Sequence, residues 1–151
     1  MPQLVNNERS PYTDVVKITA ADLIAIGNGG TRVIATIPAG GAVELCTITN
    51  TVDIAGSSSL IVDVGTTLAD PDEFVNALDV DAMTVGLPTV NQGDQFTAGT
   101  AVSTTGLTQA VLPRATAAPI YIKVTDAAVA SITAGEIMIG FRILDLTKFA
   151  A

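Results

Sequence analysis

The sequence predicts an all-β protein: an antiparallel β-sandwich, jelly-roll-like, with a short helical turn and an extended N-terminal arm. Three observations carry that prediction. Apolar residues alternate at a period of two in several segments, as in Leu60, Val62 and Val64, or Ile120, Ile122 and Val124. Turn-formers separate these segments, among them Asn28-Gly29-Gly30 and Pro38-Ala39-Gly40-Gly41. The apolar set is mostly Val, Ile, Ala and Leu, aromatics are only 4%, and Thr is frequent. Branched side chains of this kind pack well on pleated sheet. No heptad and no long amphipathic helical pattern competes with this reading.

At 151 residues, 48% apolar and 15% charged, the chain suits one globular domain with a real core. Its expected organisation is an arm over residues 1–13, a sandwich over residues 14–146 and a tail over residues 147–151.

Asp14 to Thr19 reads as a first strand. Ala20 to Ile26 fits either a strand or one helical turn. The Asn-Gly-Gly turn after it predicts a hairpin between Leu23–Ile26 and Thr31–Ile37. Ala42 to Val52 is the next strand, with Val43, Leu45, Thr47 and Thr49 on one face and Glu44, Cys46 and Ile48 on the other. Asp53 to Ser57 reads as a loop. Leu60 to Val64 alternates cleanly, and Gly65 ends it. Ala69-Asp70-Pro71-Asp72 turns the chain and caps a helical turn over Glu73–Leu78. Val85 to Gly106 is Gly- and Thr-rich, a long surface excursion with one short strand, of the kind that often makes contacts. Leu107 to Leu112 reads as a short strand. Pro119 to Thr125 directs Ile120, Ile122 and Val124 inward, with Tyr121 and Lys123 outward. Glu136 to Leu146 is the last strand. It is apolar on both faces, with Met138 and Leu144 opposite Ile137, Ile139, Phe141 and Ile143, which predicts a central position and a wall between sheets or subunits.

The formal net charge of -8 disfavours binding to nucleic acid and to anionic lipid. No apolar run is long enough to span a bilayer, and the N-terminal residues carry no secretory h-region. Cys46 is the only cysteine and reads as a buried, inert thiol. There is no histidine, so a Ser or Cys nucleophile lacks its usual base. No GxSxG elbow surrounds Ser57-Ser58-Ser59, and no Lys follows the Gly27–Gly30 turn as in a phosphate loop. These features point away from an enzyme. The acids Asp70, Asp72, Asp79 and Asp81 are the candidate ligands for a calcium ion, a hard cation that wants several oxygens from one loop. Their spacing matches no EF-hand, and caps and solvated acids account for them equally. No cofactor is expected.

The order of features resembles small β-sandwich virion proteins of tailed bacteriophages, the capsid decoration or cement proteins. The likeness runs from Arg32 to Leu144 and rests on Val64-Gly65, Asp70-Pro71-Asp72-Glu73-Phe74 and Ala134-Gly135-Glu136. It implies a non-enzymatic protein on the outer capsid surface, often a homotrimer, that bridges subunits of the major capsid protein. On that reading the arm and the Gly/Thr-rich excursion make the contacts, through Leu4, Val5, Tyr12 and Phe96. The alternative is a carbohydrate-binding or adhesin-like sandwich of a virion fibre or cell surface, against which the absence of Trp and the scarcity of aromatics argue.

Overall fold

A computed structural model describes residues 11–96, 113–145 and 147. Among these, the chain forms strands β1 (Asp14–Thr19), β2 (Gly30–Ile37), β3 (Gly41–Ala55), β4 (Ile61–Gly65), β5 (Val75–Asp79), β6 (Thr89–Val90), β7 (Ala118–Thr125) and β8 (Ala134–Asp145). One α-helix, α1 (Ala20–Ile26), follows β1, and a 3₁₀ turn, Val129–Ser131, precedes β8. The strands make two four-stranded sheets, ordered β1-β8-β3-β6 and β2-β7-β4-β5.

The pairing has a simple logic. β4 pairs with β5, β3 with β6, β2 with β7 and β1 with β8, all antiparallel. The chain is therefore one long hairpin whose tip is the β4–β5 connection. Rolling that hairpin places alternate strand pairs in opposite sheets, which is the jelly-roll arrangement. The core lies between the sheets. Leu60, Val62, Val64, Ile120, Ile122 and Val124 reach it from one side and Ile48, Ile137, Ile139 and Phe141 from the other. Phe74 sits at its aromatic centre, 6.4 Å from Phe96 and 6.3 Å from Phe141 between ring centroids. Each such buried side chain contributes about 1.5–3 kcal/mol.

Four sequence expectations change. Glu73–Leu78 is not a helical turn: residues 73 and 74 bend, and β5 follows. Pairing of Val75 with Val64 and of Leu78 with Val62 satisfies the backbone across the sheet and overrides the local capping pattern. The only α-helix among the described residues is α1, so Leu23–Ile26 forms no hairpin with β2, which instead pairs with β7. Thr19 caps α1: its hydroxyl accepts from Asp22 N–H, and Asp22 accepts from the Thr19 N–H at 2.9 Å. A bulge between Val43 and Leu45 shifts the alternation in β3, so Val43 shares the core with Cys46 and Ile48, while Leu45 faces outward with Arg142. Finally, β3 continues through Ala55, where a loop was expected. The expected strand at residues 107–112 lies outside the described residues.

Candidate functional site

Directly opposed residues of antiparallel neighbours point to the same side of a sheet. In β8, Ile137, Ile139 and Phe141 are buried in the core, so Glu136, Met138, Gly140 and Arg142 face outward. The register then lays out the outer face in rows. One row is Thr19, Glu136 and Val52; the next is Lys17, Met138 and Thr49. A third is Val15, Gly140, Thr47 and Val90, and a fourth is Arg142 and Leu45.

The two middle rows are mostly apolar or hydroxylated. Charge gathers towards the ends: Lys17 pairs with Glu136 at 2.9 Å and Arg142 with Glu44 at 3.1 Å. The Thr51 hydroxyl, then Lys17, hold the Glu136 carboxyl below the usual range. Tyr12 lies across the middle. A Cβ on Gly140 would meet the Tyr12 ring at 2.7 Å, so the absence of a side chain at Gly140 lets the ring lie flat on the sheet. Beside it is a cleft of about 260 Å³ lined by Tyr12, Val15, Thr47, Thr49, Met138 and Gly140. The Thr47 hydroxyl is buried there without a hydrogen-bond partner among the described residues. Thr13 also ties to β8, donating from its N–H to the Phe141 carbonyl at 2.8 Å.

A loop extends this side of the molecule. Gly86 N–H donates to the Asn50 carbonyl at 2.8 Å, which holds residues 84–88 beside β3. Val85 and Leu87 project from it and are 46% and 62% exposed. Thus Val15, Val52, Val85, Leu87 and Val90, all exposed large apolar residues, lie on or beside the β1-β8-β3-β6 face.

The acids proposed as a calcium set do not converge. Asp70 and Asp72 sit at the roll tip near Asp94, whereas Asp79 ends β5 and Asp81 follows it, near Asp53 and Asp126. Among the described residues no group of three or more metal-ligating side chains forms. Their geometry is that of loop ties. The Ser59 hydroxyl donates to Asp79 at 2.9 Å, and the Asp81 N–H donates to the same carboxylate at 3.1 Å. Burial, then Asp94 and Asp70, push Asp72 up; burial, then Asp79, Asp53 and Asp126, push Asp81 up.

At the tip, Glu73 is the organising group. Its carboxylate accepts from the Thr66 N–H at 2.8 Å, the Thr66 hydroxyl at 3.0 Å and the Thr67 hydroxyl at 2.8 Å. Burial alone would raise its pKa; these bonds outweigh it and hold the carboxyl below the usual range.

Of the expected contact residues, Tyr12 is on the outer sheet face, half-buried against Gly140. Phe96 is not a surface contact. It is 6% exposed and packs on Phe74, because Gly93 fits against the Phe74 backbone and draws the segment inward. Leu4 and Val5 lie outside the described residues. The alternation of the last strand sets Gly140 on one face with Met138 and Arg142, as the structure has it, whereas sequence reading passed over Val15 as a member of that face. The alternation in Thr47, Thr49 and Met138 was the available signal. Cys46 is buried, and burial pushes its thiol up to about 12, which makes it inert at neutral pH. Among the described residues, no helix is long and apolar enough to cross a membrane.

No protein-family model matches the chain, and neither a curated protein nor a solved structure matches it significantly.

Proposed function

We propose that the protein is a non-enzymatic structural subunit of a tailed-phage virion, bound to the outside of the capsid, where it cements neighbouring copies of the major capsid protein. One observation supports this reading most: an apolar flank on which Val85 and Leu87, 46% and 62% exposed, project from the loop beside β3, on a chain with a net charge of -8. Contiguous apolar surface of this kind serves protein contact. The flank carries no general base beside a nucleophile and no converging metal ligands among the described residues. Exposed Leu87 and Val85 on the loop, together with Leu4 and Val5 of the arm, are the side chains we assign to the capsid.

The test is co-sedimentation of the purified chain with phage heads that lack their outer decoration. Saturable binding is the expected result, weakened by Leu87→Asp and by removal of residues 1–10. Absence of binding to heads, with the chain folded, would sink the proposal. A glycan-binding module is the second reading, favoured by the Tyr12 ring at the rim of an open cleft. A sugar site needs several convergent polar groups, and this cleft offers mainly apolar walls and two threonines. Binding on a glycan array with none to heads would move the assignment there.

A further inference from the structure

We propose that the outer face of the β1-β8-β3-β6 sheet is the contact surface for a second copy of this chain, related by a two-fold axis. The axis lies between the two stacked sheets, runs across the strands and passes between Met138 and Gly140.

A two-fold contact brings the same patch of both copies together, so each row must suit its symmetry mate. An axis across the strands stacks β8 on β8 and reverses the rows. Met138 then meets Gly140 of the second copy, where the flat Tyr12 ring and the cleft receive it. A methionine sulfur against an aromatic ring is a favourable contact. Thr49 meets Thr47, whose buried hydroxyl has no partner among the described residues. Glu136 meets Arg142, and Val52, 46% exposed, meets half-buried Leu45. Opposite charges meet at Glu136 and Arg142, apolar groups at Val52 and Leu45 and hydroxyls at Thr49 and Thr47, while at the β1 edge the Lys17 stem lies over Val15 and its ammonium stays with Glu136.

Charge supports the same choice of occupant. The chain carries -8 overall. On this face the ion pairs Lys17–Glu136 and Arg142–Glu44 balance each other. The face itself therefore adds no net charge between two acidic copies. Tilting the axis by about 15° gives the crossing of about 30° that stacked sheets prefer, and the pairs nearest the axis keep their register. The contact does not rest on the capsid reading: a dimer can fail to bind heads, and a monomer can bind them.

The experiment starts with light scattering of the purified full chain over a concentration series. The expected mass is twice the chain mass of 15.4 kDa. Met138→Lys is expected to give a monomer with an unchanged far-UV circular dichroism spectrum. Register is read with two single variants, Val15→Cys and Lys17→Cys, which the axis stacks on each other. Mild oxidation of their mixture is expected to yield a covalent dimer far more efficiently than oxidation of either variant alone. A wild-type monomer or trimer, a dimer insensitive to Met138→Lys, or equal cross-linking within one variant would each overturn the proposal.

Discussion

Glu73 gathers three donors from Thr66 and Thr67, and Gly65 leaves room for it: a Cβ there would come within 1.7 Å of the Glu73 carboxylate and 2.9 Å of its backbone nitrogen. Truncating a group that satisfies several donors costs about 1–3 kcal/mol. Glu73→Ala is therefore expected to lower stability by about that amount in urea unfolding, and Gly65→Ala to lower it by displacing the same carboxylate. Its neighbour Asp72 has the opposite sign. Burial and then Asp94 raise its pKa in the fold, so its contribution to stability is full at acid pH and is lost as pH rises through the folded value. Asp72→Asn is expected to raise Tm at neutral pH and to leave it unchanged in acid. Asp22 behaves in the usual carboxylate sense. The Arg32 guanidinium at 2.7 Å, then the Thr19 N–H and hydroxyl, lower it from 3.8 to about 2. Its contribution is present above about 4 and is lost as pH falls towards about 2. Thr19→Ala, which removes one half of that capping box, is expected to cost about 1 kcal/mol.

At the scale of elements, strands with strict alternation were legible from sequence because each has one core face, and the register shifts in their pairings fall in the partner strands β5 and β2. β4 and β7 are the clear cases, with Val62, Val64, Ile120, Ile122 and Val124 all buried. β8 was legible as a central strand because it is apolar on both sides, and it lies between β1 and β3. What escaped was set by contacts distant in sequence. The bulge at Val43 and Leu45 reverses which residues of β3 face inward, and no local feature announces it. The Asp-Pro-Asp-Glu run carries helix-capping chemistry, yet Glu73 spends its carboxylate on Thr66 and Thr67 of the preceding strand end, leaving β5 free to pair. The candidate site was half legible: Tyr12 and Met138 were singled out, whereas Gly140 matters only because Tyr12 folds onto it. Phe96 was misassigned because a Gly-rich segment reads as surface, although Gly93 permits a close approach to Phe74. As a member of the aromatic core, Phe96→Ala is expected to destabilise by about 3–5 kcal/mol in denaturant unfolding. A change below about 0.5 kcal/mol would return Phe96 to the surface.

For the whole molecule, the rolled hairpin explains why the two sides of the sandwich differ. Strands β1, β3 and β8 present a broad outer face with a neutral centre, while the acid-bearing tip lies at the β4–β5 end of the roll. Fold alone does not assign function, since jelly rolls serve in capsids, lectins and enzymes alike. The proposed assignment rests on where apolar surface is left exposed. A cement must do more than bind: its interface has to stabilise the shell it spans. The most direct measurement is therefore the temperature at which DNA-filled heads rupture, compared with and without saturating amounts of the purified chain. Coated heads are expected to rupture at a higher temperature, falling back towards the bare value with Leu87→Asp. Identical rupture temperatures for bare and fully coated heads would contradict the proposed assignment.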